Sequence, residues 1–239
     1  MMFVIPMAGE SRRFRDVGYG DKCRLLLNGV PLFDHAVSSF IHYFTSAAFL
    51  FVLRPDAAEF VRQRCGALGI LRARLAVLPH TTSGQAESVF LGLEQMTIAD
   101  DTPLTIFNID TFRAGYRAPP LQGSGDLEVF EGKGDNWSFV APDPARPGRV
   151  QETSEKRPIS RLCCTGLYRF AAAADLRWAF QHPAPPRGEA EQCERYIAPL
   201  YNALIARGDD IYYSLISRDA VVFCGTPDEY EALHAPRHA

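Results

Sequence analysis

The sequence lacks most of the motifs that name a chemistry on sight. It has no GxxxxGK[ST] phosphate loop and no GxGxxG dinucleotide fingerprint. Its six cysteines, Cys23, Cys65, Cys163, Cys164, Cys193 and Cys224, form no CxxC pair and no zinc spacing, so a structural zinc or dithiol centre is excluded. The histidines at 35, 42, 80, 182, 234 and 238 are scattered, with no ligand pair and no Ser-His-Asp arrangement. Positive charge is not in excess. A net charge of −3 argues against a general nucleic-acid binder. No apolar run reaches the length of a membrane span, and the longest, Ala47 to Leu53, is strand-sized. Met1-Met2 leads straight into an apolar run without a basic stretch, so no secretory signal is expected. The cysteines are expected as free thiols in a reducing cytoplasm. No internal repeat is found.

What is present suits a soluble α/β domain. Hydrophobic residues make up 47% and charged residues 22% of the 239, enough for a sizeable core. Apolar runs at Met2–Met7, Ala47–Leu53, Leu75–Leu78 and Leu104–Asn108 read as strands. They alternate with helical periodicities at 31–43, 57–68 and 84–95. That rhythm predicts a mostly parallel sheet covered on both faces. Further strands are expected at 126–130, 137–141, 149–153, 211–217 and 221–224, with a strand pair or a strand and bulge at 161–170. Helices are expected at 171–180, at 189–207 with an interruption at Pro199, and at 227–233. Cys163 and Cys164 are adjacent and should face opposite sides of their strand. No linker divides the chain, which reads as one domain over 1–239.

Four segments are candidates for function. The first is Ile5-Pro-Met-Ala8-Gly9-Glu10-Ser11-Arg12-Arg13-Phe14, followed by Lys22. A strand feeding a small-residue turn, backed by Arg13 and Lys22, offers N–H groups and cations to a polyphosphate. An ordinary strand-to-helix turn with a solvated basic rim would look the same. The second is Phe107-Asn-Ile-Asp110-Thr-Phe-Arg113, which puts a carboxylate where a strand ends. Ligands of open α/β sheets bind at that edge, although an aspartate there can also be a turn former. The third, Thr81-Thr-Ser-Gly84-Gln85-Ala-Glu87, precedes a helix and can be a helix cap. The fourth, Glu155-Lys156-Arg-Pro-Ile-Ser160 with Thr165-Gly166-Leu-Tyr168, can be a solvated loop.

Taken in order, these segments resemble the sugar-phosphate nucleotidyltransferases, most closely the branch found in capsule and lipopolysaccharide gene clusters. That family opens on a similar AG-x-G/S-S-R-F run with a later GY pair and PK. Arg12 and Asp21 depart from it here, while Gly9, Arg13 and Lys22 remain. The resemblance implies a three-layer α/β/α, Rossmann-like (GT-A-like) fold with a central mixed, mostly parallel sheet. It implies a nucleotide-binding half over about 1–115 and an acceptor-binding half over about 116–239. The implied reaction joins an NTP to a phosphorylated small molecule, with a sugar 1-phosphate as the family default, and releases pyrophosphate for surface polysaccharide synthesis. Catalysis would rest on Arg13, Lys22 and Asp110, with Asp110 also holding Mg²⁺. Ala8, Gly9, Glu10, Ser11 and Gly84 would line the nucleotide. Gln85 would read a pyrimidine edge, since an amide offers a donor and an acceptor. Glu155, Lys156 and Gly166 would hold the acceptor, with Lys156 on its phosphate.

One family feature is missing. Related chains carry W-x-D-x-G-T-P, whose aspartate is a second metal ligand, and Phe223 stands at that position here. Asp228 could substitute, but a place in the first turn of a helix explains it better. Two other readings remain open. One is a glycosyltransferase on the same fold, which would want a D-x-D motif where this chain has Asn108-Ile-Asp110. The other is a non-catalytic nucleotide-binding protein.

Overall fold

A computed structural model describes residues 1–234. The strands run β1 Met2–Pro6, β2 Leu26–Leu27, β3 Val30–Pro31, β4 Ala48–Leu53, β5 Ala73–Val77, β6 Leu104–Phe107, β7 Thr111–Phe112, β8 Gly125–Glu131, β9 Ser138–Pro142, β10 Val150–Glu155, β11 Leu162–Phe170, β12 Ile211–Ile216 and β13 Val222–Phe223. The α-helices are α1 Arg12–Asp16, α2 Leu32–Val37, α3 Ala58–Leu68, α4 Gln85–Gln95, α5 Ala173–Gln181, α6 Glu189–Cys193, α7 Leu200–Arg207 and α8 Pro227–His234.

The main sheet runs β10-β9-β11-β6-β1-β4-β5, with β8 paired to β11 and β12 to β8. Its β6-β1-β4-β5 portion is wholly parallel. Antiparallel pairing enters through β11, which lies against β6, β8 and β9. The fold is therefore the three-layer α/β/α arrangement with a mixed central sheet. Alternation within β1 explains why both faces are covered. Met2 and Val4 join a core shared with α4, α5 and α7, while Phe3 and Ile5 join one shared with α2 and α3. A strand buried on both faces reads as an unbroken apolar run, as this one does. Cys163 and Cys164 likewise enter different cores.

Two expectations change, and of the two readings of 161–170 the bulged strand holds. The helix expected over 31–43 ends at Val37 and continues as a 3₁₀ turn over Ser38–Tyr43, because Phe40 leaves helical geometry. The long helix over 189–207 is two helices, α6 and α7, with 194–199 between them. Pro199 lacks the N–H a continuous helix needs. The Arg195 N–H and carbonyl are already bonded to Ser83 and Ala86, and the Ala198 carbonyl to the Thr153 hydroxyl. Residues 161–170 form one strand, with a register shift against β8 between Cys164 and Tyr168. Such irregularities re-aim side chains beside sites.

Helix α4 carries Gln85 at its first turn and sits close on the sheet. A Cβ at Gly92 would meet Val52 Cγ2 at 2.5 Å. Gly92→Ala is expected to destabilise the fold by about 1–3 kcal/mol through overpacking. Adding Val52→Ala should recover part of that loss. Urea denaturation of the two single variants and the double variant measures the coupling, and simple additivity would show that the contact does not set the helix position.

Candidate active site

Parallel strands β1 and β6 are neighbours in register, so their carboxyl ends open on the same edge of the sheet. The turn after β1 and the turn holding Asp110 therefore face one cleft of about 1020 Å³. Of the expected residues, Ala8, Gly9, Glu10, Ser11, Arg13, Lys22, Gly84, Gln85, Asp110, Glu155 and Gly166 line it. Lys156 does not.

The backbone N–H groups of Ala8 to Ser11 find no protein acceptor among the described residues. A Cβ at Gly9 would meet nothing within 4 Å, so the turn is open to an incoming group. Arg54 supports it from behind by donating to the Gly9 carbonyl at 3.1 Å. Donors left free on an open turn suit an anion.

At the centre, Lys22 Nζ donates to Asp110 Oδ2 at 2.6 Å. Burial disfavours both charges, but their mutual attraction and hydrogen bond outweigh it. The Asp110 carboxyl is held below its ordinary range and the Lys22 ammonium above. Asp21 helps to fix this lysine by capping the short 3₁₀ turn Lys22–Arg24 through the Cys23 N–H at 3.1 Å.

Gln85 Nε2 donates to Asn108 Oδ1. Asn108 is itself pressed against Gly166, where a Cβ would come within 2.6 Å of its Nδ2. Gly166 has φ +92 and lies in the irregular stretch of β11, so only glycine suits both the space and the backbone there. Gly84 is also a close-approach residue, but what it approaches is the Arg195 backbone, 2.5 Å from a Cβ placed there. Glu87 accepts from the Ser83 N–H, so this segment caps α4 as well as lining the cleft.

On the other wall, Glu155 is 5% exposed and accepts from the Ser138 hydroxyl. Burial pushes its carboxyl up to about 7. Lys156 holds φ 53 and donates to the Tyr196 hydroxyl at 2.7 Å, outside the cleft lining. Tyr196 passes its own proton toward Glu194.

Several cleft residues were not anticipated. Glu229, not Asp228, lines the cleft. It accepts from the Gly225 and Thr226 N–H groups at 2.8 and 3.1 Å, while Thr226 Oγ1 accepts from the Glu229 N–H. That is a capping box at the start of α8, and the spacing Thr226-x-x-Glu229 would have revealed it. Lys133, Glu194 and Tyr196 also face the cleft, and no local pattern marks them.

No protein-family model matches the chain, and no curated protein does. Solved structures do. The nucleoside-diphosphate-sugar pyrophosphorylase from Vibrio cholerae RC9 is 48% identical, the match covering 97% of this chain and 99% of that one at a TM-score of 0.91. The chain belongs to the nucleoside-diphosphate-sugar pyrophosphorylase family of nucleotidyltransferases. The inositol-1-phosphate CTP transferase from T. maritima is 12% identical over 98% of this chain and 94% of its own, at a TM-score of 0.73. A UDP-glucose pyrophosphorylase in complex with UDP-glucose is 14% identical over 98% and 97%, at 0.74. These two share the fold.

Glu155 gives the family site a pH-dependent cost. Below about 4.5, its ordinary value, native and unfolded chains both hold the proton. As pH rises toward about 7 the unfolded chain releases it first, so the native state loses stability across that window and no further above it. The melting temperature of the wild type relative to Glu155→Gln should therefore fall across the window. A pH-independent difference would contradict the raised value.

Proposed function

We propose that this protein transfers a nucleotidyl group from an NTP to a phosphorylated small molecule. An acceptor phosphate oxygen attacks the α-phosphorus, the bond to the bridging oxygen breaks, and pyrophosphate leaves with that electron pair. The observation that carries this reading is the Lys22–Asp110 pair, 2.6 Å apart beneath a turn with free N–H groups. The roles of the individual residues are inferred from the family resemblance and from this geometry.

The reaction asks little covalent work of the protein, since a phosphate oxygen is already ionised at neutral pH. The difficulty is repulsion between two anions. Arg13 and Lys22 offset the charge on the triphosphate, and the N–H groups of Ala8 to Ser11 orient it. Gln85, held by Asn108, presents its remaining amide groups to the base, which favours a pyrimidine. Glu155, Lys156 and Gly166 form the acceptor side, with Lys156 resting on Tyr196 until the acceptor phosphate draws it in. A nucleotide half over about 1–115 and an acceptor half over about 116–239 follow from this division.

Among the described residues, no three or more His, Cys, Asp or Glu side chains are grouped to hold a metal. Asp110, a carboxylate lining the cleft beside Lys22, would be the protein ligand of an ion that takes most of its shell from phosphates and water, as Mg²⁺ does. Such an ion supplies positive charge to the phosphate oxygens. We assign the protein to the capsule and lipopolysaccharide branch, with a sugar 1-phosphate as acceptor and surface polysaccharide synthesis as the role. Its NTP substrate assigns it to the cytoplasm. No helix among the described residues is long and apolar enough to cross a membrane.

A screen of NTPs against phosphorylated acceptors should release pyrophosphate with one pyrimidine NTP and a sugar 1-phosphate. Release of a nucleoside diphosphate from a finished NDP-sugar would instead indicate glycosyl transfer. Lys22→Ala is expected to lower turnover by about two orders of magnitude, the scale of one lost preorganised charge partner. Wild-type turnover in that variant would remove Lys22 from the mechanism.

A further inference from the structure

Lysine is scarce in this chain. Of its 25 basic residues only three are lysines, Lys22, Lys133 and Lys156. All three lie at or beside the cleft. Lys22 and Lys133 line it, and Lys156 sits on Tyr196, itself a cleft residue. Lys133 has no role in the reaction as derived above.

The cations lining the cleft, among the described residues, are Arg12, Arg13, Lys22 and Lys133. The first three belong to the nucleotide side. The cleft also carries carboxylates, Glu155, Glu194 and Glu229 among them. A phosphate monoester carries about −1.5 to −2 charges near neutral pH, which calls for more than one cation where carboxylates surround it. Lys156 can supply one only by leaving the Tyr196 hydroxyl. Lys133 is a cation already in the cleft.

Its setting suits the task. Lys133 lies between Gly132 and Gly134 in the connection from β8 to β9. Gly132 is wedged, since a Cβ there would stand 2.8 Å from Cys163 Sγ and from the Phe130 ring. The Lys133 carbonyl accepts from Trp137 Nε1 at 3.1 Å. Trp137 packs on Phe130 and Phe223, with ring centroids 5.2 and 4.7 Å away. The backbone at Lys133 is thus anchored on an aromatic platform. Its exposed ammonium makes no ion pair or hydrogen bond among the described residues. A compact charge on a flexible stem, free of partners, can follow a phosphate into position.

We propose that Lys133 binds the phosphate of the phosphorylated acceptor, acting with Lys156, whose backbone N–H donates to the Trp137 carbonyl at 2.9 Å beside it. This rests on the nucleotidyl-transfer reading. The first test needs no known acceptor. With three lysines, acetylation by acetic anhydride can be followed at each one by peptide mass spectrometry. Millimolar inorganic phosphate is expected to slow modification of Lys133 several-fold beyond sodium chloride at equal ionic strength. An unchanged rate at Lys133 overturns the proposal.

The second test uses the NTP and acceptor found by the pyrophosphate-release screen. Lys133→Ala should raise acceptor KM by about ten-fold or more, the scale of one charge-assisted hydrogen bond, with NTP KM unchanged. Lys133→Arg should restore part of the loss. A raised NTP KM with unchanged acceptor KM overturns the proposal, as does no change in either. If no pair releases pyrophosphate while phosphate still protects Lys133, the transfer reading fails and the phosphate site at Lys133 stands.

Discussion

The contact between Lys22 and Asp110 is the constraint around which the cleft is organised. Two opposite charges in a half-buried site are costly apart and acceptable together. Their pairing ties the segment after the phosphate turn to the segment after β6. Asp110 is tied in turn to the end of β13, because its carbonyl accepts from the Cys224 N–H at 2.8 Å. The segment holding Lys22 and the end of the last strand thus meet at one residue, the first at its carboxylate and the second at its backbone carbonyl. The same pairing leaves the site nearly neutral before substrate arrives.

A second constraint joins the two sides of the cleft. The break between α6 and α7 takes Arg195 and Tyr196 out of helical bonding, and both are used elsewhere. Arg195 bonds through its backbone to Ser83 and Ala86, beside Gln85. Its guanidinium stacks on Phe180 at 3.8 Å and donates to the Phe180 carbonyl. Tyr196, the next residue, receives Lys156 from the acceptor side. One short strap therefore touches the loop before α4 through its backbone and the loop after β10 through its side chain. A continuous helix over this stretch could do neither.

Much of this was legible in the sequence, and the rest was hidden for identifiable reasons. The parallel strands were visible because strands buried on both faces are continuous apolar runs, as Met2–Pro6 shows. The turn after β1 and Asp110, which the structure brings to one cleft, were visible because each is marked by a few adjacent residues. Two local signals were passed over. Asn28-Gly29 joins β2 to β3 with φ values of 54 and 79, the expected hairpin turn. Thr226-x-x-Glu229 is a capping box. Lys133, Glu194 and Tyr196 were not legible, because their position depends on strands brought together across the whole chain. The parking of Lys156 on Tyr196 was hidden for the same reason.

The account stands or falls on Lys22 and Asp110 acting as one unit in pyrophosphate release. A double-mutant cycle tests this most directly, with pyrophosphate-release rates for the wild type, Lys22→Ala, Asp110→Asn and the double variant. The expected result is strong non-additivity, with the double variant about as slow as the slower single variant. Fully additive losses would mean that the two residues act independently, and would contradict the account.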